Sequence, residues 1–365
     1  MAVSIKRIIG LLSLILFRTT RILMQIRRAK RSKVVILSYH KLGDTIFLLP
    51  SIRALTKHYG ERNILIATYE HNVPVFNLEF SGMSYLTATK SDFVGYREFP
   101  RCKVIRQIRK VNPEVIIDLN TGTKPAIMAL FSGARLIFGA NSIVYRGIYN
   151  GYIPHKFDCH VREIYPKIIS TIPGIRIDQD SVPVQKNNGR YILVHPTAAW
   201  RAKEWGMGNY YKLCANLKKD YTVKLISEYG TVAPEVINDF KTAGIEFILT
   251  KNISDLIDAI KKCYLFIGND SGPLYLANYL QKPTFTIYGP TNPSYHLPYE
   301  GVNAFSQEII NCSPVNTKMC YLDGGRKCSH FSCMAQLSEE KVYSDLSGFI
   351  SREKIFSVKD ADSNN

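Results

Sequence analysis

Short apolar runs alternate with amphipathic stretches along most of the chain, the rhythm of strands joined by helices. In the first half the runs at residues 34–37, 64–67, 115–118 and 136–138 read as strands, and residues 51–59, 104–110, 125–132 and 164–171 as helices. Residues 173–189 hold prolines, charges and turn formers without an apolar period, which places an interdomain linker there. The pattern then restarts. Strands are expected at 191–194, 223–226, 247–249, 265–267 and 284–287, with helices at 209–218, 234–243, 255–261, 273–279 and 338–350. The fold class that follows is α/β, with parallel sheets in two domains.

Two places on this pattern carry candidate chemistry. Residues 264–267 run apolar into Gly268, and Asn269-Asp270-Ser271-Gly272 follow where a helix must begin. Unpaired amides and the positive end of the helix dipole suit such a turn to a phosphate, with Asp270 or Ser271 taking hydroxyls beside it. Helix capping alone accounts for the same residues equally well. A second copy of the device stands near the start, where 34–37 lead into Ser-Tyr-His-Lys41-Leu-Gly43-Asp44 and the helical pattern Ile46, Leu49, Ile52, Leu55. Two such edges imply two facing domains.

Three motifs in order resemble glycosyltransferase family 9, the bacterial heptosyltransferases of the lipopolysaccharide inner core. They are Lys41-Leu-Gly-Asp44 with Leu49-Pro50-Ser-Ile-Arg-Ala-Leu55, then Val194-His-Pro-Thr-Ala-Ala-Trp200-Arg-Ala-Lys203-Glu-Trp205, then Gly268-Asn-Asp-Ser-Gly-Pro273 with Tyr288-Gly-Pro-Thr291. The resemblance runs from about 33 to about 350. It implies a GT-B fold, two Rossmann-like domains with parallel sheets facing across a cleft. The acceptor side is then residues 33–172, the donor side 190–337 with a cysteine-containing loop at 311–335, and the closing helix 338–356.

Sugar transfer from a nucleotide diphosphate needs a base for the acceptor hydroxyl and a cation for charge growing on the departing diphosphate. Asp44, at the mouth of the first strand, is the candidate base, and the family's catalytic aspartate aligns with it; capping the next helix is the ordinary alternative. Lys203 is the candidate cation, with Trp200 and Trp205 as aromatic neighbours for its stem, and the resemblance puts a lysine there on the donor phosphates. Thr197 and the small Ala198 and Ala199 let the diphosphate approach closely. Glu228 is the candidate for the ribose hydroxyls, in competition with Glu235 and with a plain surface role. Asp270, Ser271, Gly272 and Pro273 complete the expected donor side, and Lys41 and Gly43 belong to the acceptor side. Tyr275 departs from the family, which commonly has histidine in Gly-Pro-Leu-His.

The resemblance thus implies an inverting glycosyltransferase that uses ADP-heptose as donor substrate and needs no cofactor. Another nucleotide sugar, a protein acceptor, or a catalytically idle membrane-surface subunit are the alternatives.

Charge changes the picture at one end. The chain of 365 residues has 47 basic and 30 acidic side chains, a net +17, and its first acidic residue is Asp44. Residues 1–32 are an extension of basic and apolar residues whose apolar run, 8–17, is too short to span a bilayer. Arginines follow the run where a signal peptide would carry a cleavage site. An interfacial helix on an anionic leaflet is one reading, an extra helix packed on the first domain the other. The expected location is the inner face of the cytoplasmic membrane, with a lipid-linked or lipopolysaccharide acceptor. Nucleic acid is not expected as a partner, since no zinc-finger, RNP-like or helix-turn-helix signature accompanies the charge.

Cys312, Cys320, Cys328 and Cys333 cluster without the tight Cys-x-x-Cys knuckle, so free thiols are expected ahead of structural zinc or iron. The triplets Asp178-Gln-Asp180 and Asp360-Ala-Asp362 lie in the linker and in the frayed tail 357–365, and neither is expected to hold a metal.

Overall fold

The structure is a computed structural model that describes residues 2–25, 33–95, 99–155, 158–177, 189–298 and 301–355, with side chains from Leu12 onward in the first helix. Most of the expected linker, the two Asp-x-Asp triplets and the tail lie outside the described residues. The chain divides into two units, Met1–Asp180 and Ser181–Asn365.

Unit 1 holds strands β1 (Lys33–Ser38), β2 (Ile64–Tyr69), β3 (Ser84–Ala88), a small hairpin of β4 (Phe93–Val94) and β5 (Phe99–Pro100), then β6 (Pro113–Asp118), β7 (Leu136–Asn141) and β8 (Gly151–Pro154). Its six-stranded sheet has the order β3-β2-β1-β6-β7-β8, parallel throughout. Unit 2 repeats the plan with β9 (Tyr191–His195), β10 (Val223–Glu228), β11 (Glu246–Thr250), β12 (Cys263–Asn269), β13 (Thr284–Tyr288) and β14 (Asn303–Gln307), in the order β11-β10-β9-β12-β13-β14. Both orders reverse direction beside the first strand, at β1/β6 and β9/β12, and ligands of such sheets bind outside the carboxyl ends at that point.

The central strands are apolar throughout because both their faces are covered. Ile36 and Ile117 lie in register across β1/β6, and Ile267 and Val194 across β12/β9. The edge strands β3, β8 and β14 and the hairpin escape sequence patterning. Each is half exposed, and none carries the continuous apolar run that marks a strand buried on both faces.

The first helix of unit 1 after β1 begins earlier than the range 51–59 expected for it. It spans Leu42–Tyr59, takes in the whole pattern Ile46, Leu49, Ile52, Leu55, and runs through Pro50. An interior proline costs about 3 kcal/mol. Burial of Ile46, Leu48, Leu49, Ile52 and Leu55 on one face offsets it.

The N-terminal extension is a helix, Ala2–Gln25, docked on unit 1 against residues 143–148 and the helix Thr123–Ser132. Arg21 donates to the carbonyls of Ile148 at 3.0 Å and Arg135 at 2.7 Å and to Asn150 Oδ1 at 2.7 Å, and Gln25 to the carbonyl of Ala134 at 2.8 Å. The closing helix Glu339–Glu353 buries Val342, Leu346, Phe349 and Ile350 in the core of unit 2.

Candidate active site

In unit 2 the carboxyl edge of β12 delivers Asn269 and Asp270 to the helix Gly272–Tyr279. Ser271 takes the cap position by backbone angle, yet its hydroxyl makes no capping bond, and Asp270 does not cap either. The Asp270 carboxylate instead gathers three donors. Lys203 Nζ reaches Oδ2 at 2.5 Å, Thr291 Oγ1 the same oxygen at 2.7 Å, and Tyr275 OH reaches Oδ1 at 2.5 Å. Burial by itself would raise the Asp270 carboxyl, but the charges of Lys203 and His296 and the hydrogen bonds overturn it and hold the group at about 2. The aspartate is therefore a fixed anion, and it pins Lys203 at the sheet edge.

The Lys203 ammonium also lies 4.5 Å from the Trp200 ring, so one of the two tryptophans holds it as its sequence neighbourhood predicts. Trp205 does not. It is buried in the core edge-on to Tyr210, with its indole N–H donating to the Leu337 carbonyl at 2.7 Å, because the short turn Arg201–Lys203 sends the two rings to different environments.

Asn269 is equally committed. Its Oδ1 accepts from Tyr210 OH at 2.9 Å, and its Nδ2 donates to the Pro196 carbonyl at 2.8 Å, which ties the β9 loop to the β12 loop across the switch point. Thr197 sits in that loop, 3.4 Å from His195 Nε2. Two buried polar atoms there, His195 Nδ1 and Ser271 Oγ, have no hydrogen-bond partner among the described residues. Burial lowers the His195 imidazole to about 4, so it is neutral at pH 7. Gly272 and Pro273 open the helix at its first positions, and Glu228 ends β10 with its side chain in solvent at the same sheet edge.

In unit 1 the edge of β1 carries Lys41 as the extended cap residue, then Gly43, then Asp44 in the first helical turn. Asp44 is exposed, and its charge acts on the buried His40 and Tyr165. Burial lowers the His40 imidazole, against the pull of Asp44 and of its own bond to the Leu119 carbonyl at 3.1 Å. Lys124, one residue into the helix Thr123–Ser132, is buried over the rings of Phe93, Tyr69 and Tyr39 at 4.8, 5.2 and 5.8 Å. At the end of β6, burial raises the Asp118 carboxyl to about 6 even though Tyr149 OH donates to it at 2.5 Å.

Sequence reading gave His40, Lys124, His195 and Thr291 no role, although His40, His195 and Thr291 stand inside the segments it singled out; Lys124 carried no such signal.

The cysteine loop packs against Trp200 and Pro290 at the carboxyl edge of the unit 2 sheet. Trp200 Nε1 donates to the Gly324 carbonyl at 3.0 Å, Cys320 N to the Pro290 carbonyl at 2.9 Å, and the Arg326 guanidinium lies 4.8 Å from the Trp200 ring. Cys312, Cys320, Cys328 and Cys333 line one small void of about 10 Å³ with His330. All four are free thiols, and among the described residues no group of three or more His, Cys, Asp or Glu is arranged to hold a metal ion.

The sequence model of glycosyltransferase family 9 (heptosyltransferase) matches residues 165–324. Lipooligosaccharide heptosyltransferase 2 of Campylobacter jejuni is 30% identical over 174 residues, 45% of this chain and 53% of that protein. The chain thus spans about half the length of the Campylobacter relatives it matches. Among solved structures, the glycosyl transferase family 9 protein of Veillonella parvula superposes with a TM-score of 0.69 at 16% identity, covering 89% of this chain and 99% of that one. The E. coli ADP-heptose lps heptosyltransferase II does so with a TM-score of 0.65 at 16% identity, covering 88% and 99%. These likenesses concern the fold, an α/β architecture with two parallel sheets as in GT-B heptosyltransferases. The chain is thus similar to glycosyltransferase family 9 in sequence over residues 165–324 and in fold over most of its length.

Proposed function

We propose that the chain is an inverting glycosyltransferase that moves a heptose from ADP-heptose to the inner core of lipopolysaccharide. The observation that carries this reading is the Lys203–Asp270 pair at the switch point of unit 2. An ammonium has three N–H donors, and the one spent on Asp270 leaves two for phosphate oxygens. The relatives' names support the substrate class, since they are heptosyltransferases of lipooligosaccharide.

The roles follow from the chemistry. The Asp44 carboxylate takes the proton of the acceptor hydroxyl as its oxygen bonds to the anomeric carbon, and the bond from that carbon to the donor diphosphate breaks with its electron pair on ADP. Lys203 holds the negative charge that appears on the diphosphate. Thr197, the orphaned Ser271 hydroxyl and the amides of Gly272 onward meet the phosphates, Asp270 and Tyr275 the sugar side, and Glu228 the ribose. Lys41 and Gly43 border the acceptor. A lipid-linked acceptor places the enzyme on an anionic membrane face, in keeping with the net +17.

The test is Asp44→Ala. Donor binding should stay nearly intact while transfer falls by about 10²–10⁴-fold; normal turnover would remove the base. A thermal-shift panel of ADP, UDP, GDP and CMP sugars reads the donor, because a ligand of the native state raises the melting point according to its affinity. Tyr275, where the family commonly has histidine, favours a second reading with another nucleotide sugar, and a larger shift from one of those sugars would select it.

A further inference from the structure

Among its described side chains, Leu12 onward, the N-terminal helix Ala2–Gln25 carries apolar residues on both faces, and unit 1 covers only one. The covered face carries Phe17, packed 5.9 Å from the Tyr145 ring, Met24 beneath Arg109 at 3.3 Å, and Arg21 with its carbonyl bonds. The fit is close: a Cβ on Gly147 would lie 2.8 Å from the Leu14 carbonyl oxygen. The opposite face holds Leu12, Ile15, Leu16, Ile22 and Leu23, each 57–62% exposed. At helical spacing these five fall within an arc of about 120°. Ile143 and Val144 are also exposed, in the turn on which the helix packs.

A helix with an apolar stripe left uncovered needs a second apolar partner, and exposed stripes of this kind mark interaction sites. Charge says which. Before Asp44 the sequence contains ten lysines and arginines and no acidic residue, Arg18 among them on the exposed side of the helix. A second copy of the chain would bring this basic segment against its own kind, whereas an anionic surface complements it. No helix among the described residues is long and apolar enough to cross a membrane.

We propose that the stripe Leu12, Ile15, Leu16, Ile22 and Leu23 docks the protein on an anionic lipid bilayer, with the helix in the plane of the interface and unit 1 on its other face. The apolar chains enter the acyl boundary and the basic residues meet the headgroups. The inference rests on the proposed function only for the lipid-linked nature of the acceptor.

The test is sedimentation of the full chain with vesicles of phosphatidylglycerol and phosphatidylethanolamine, and with vesicles of phosphatidylcholine alone. The protein should bind the anionic vesicles, less so at high salt. The variant Leu12→Ser/Leu16→Ser/Leu23→Ser should lose about tenfold or more of that partition with an unchanged melting temperature, since its three sites face solvent. Arg18→Glu should weaken binding to the anionic vesicles alone. Equal sedimentation of wild type and stripe variant would overturn the proposal. So would light scattering in which the stripe variant turns a dimer into a monomer while vesicle binding is unaffected, a result that assigns the face to a second copy. Transfer to a soluble, delipidated core fragment, read in parallel, should be the same in both proteins. Absence of transfer from both, with vesicle binding retained, defeats the functional reading and leaves the docking surface standing.

Discussion

Lys203 Nζ and Asp270 Oδ2, 67 residues apart in sequence, meet at 2.5 Å with side-chain exposures of only 12% and 3%. The contact fixes a flexible lysine at the one edge of unit 2 where a doubly wound sheet binds ligands. Asp270→Asn leaves that ammonium without its counter-charge, and breaking a buried pair costs about 3–5 kcal/mol. Denaturant melts should show the stability loss, and donor binding and transfer should both fall. Tyr275→Phe removes a single hydrogen bond from the same carboxylate and should cost about 1–3 kcal/mol. A double-mutant cycle of the two substitutions should be non-additive, because both act on one anion.

Two buried carboxylates give stability opposite dependences on pH. Asp270 is held at about 2, below its ordinary 3.8, so its contribution is present above pH ~4 and disappears as the pH falls through 2. Asp118 is raised to about 6, so its contribution is full below pH ~4 and disappears as the pH rises through 6. Stability measured from pH 2 to 8 should therefore lose its acid limb in Asp270→Asn and its limb between 4 and 6 in Asp118→Asn. An unchanged acid limb in Asp270→Asn would show that other groups govern the acid transition.

Gly147→Ala tests how the N-terminal helix is seated. The added Cβ meets Leu14 backbone atoms at 2.8 and 2.9 Å, and backbone cannot yield as a side-chain tip does. Overpacking of this kind costs about 1–3 kcal/mol. Proteolysis should cut within residues 2–25 faster in the variant, while the fragment that begins at β1 persists.

The cysteines should separate by reactivity. Cys102 is exposed, whereas Cys214 and Cys263 are buried. Burial raises the Cys214 thiol far above its ordinary value and the Cys263 thiol to about 12. Burial, with Cys312, Cys328 and Cys320 nearby, raises Cys333 to about 11. Alkylation at pH 8 followed by peptide mass spectrometry should modify Cys102 first and Cys214 and Cys263 only on unfolding. Equal labelling of Cys214 and Cys102 in the native protein would contradict this packing.

The alternation of apolar runs and amphipathic stretches was enough to reveal the central strands and most helices, because strands buried on both faces must be apolar along their length. Residues such as Ser84–Ala88 and Gly151–Pro154 stayed hidden, since an edge strand is held by its neighbour's backbone and needs no apolar run of its own. Motif spacing likewise brought Asp44, Lys203 and Asp270 to notice one at a time. Only the tertiary structure joined Lys203, Tyr275 and Thr291 on one carboxylate, parted Trp200 from Trp205, and showed the N-terminal helix seated on unit 1 by one face with its other face bare. Periodicity reports which positions leave water; which groups then meet depends on strand order and helix packing, which bring distant stretches of chain into contact.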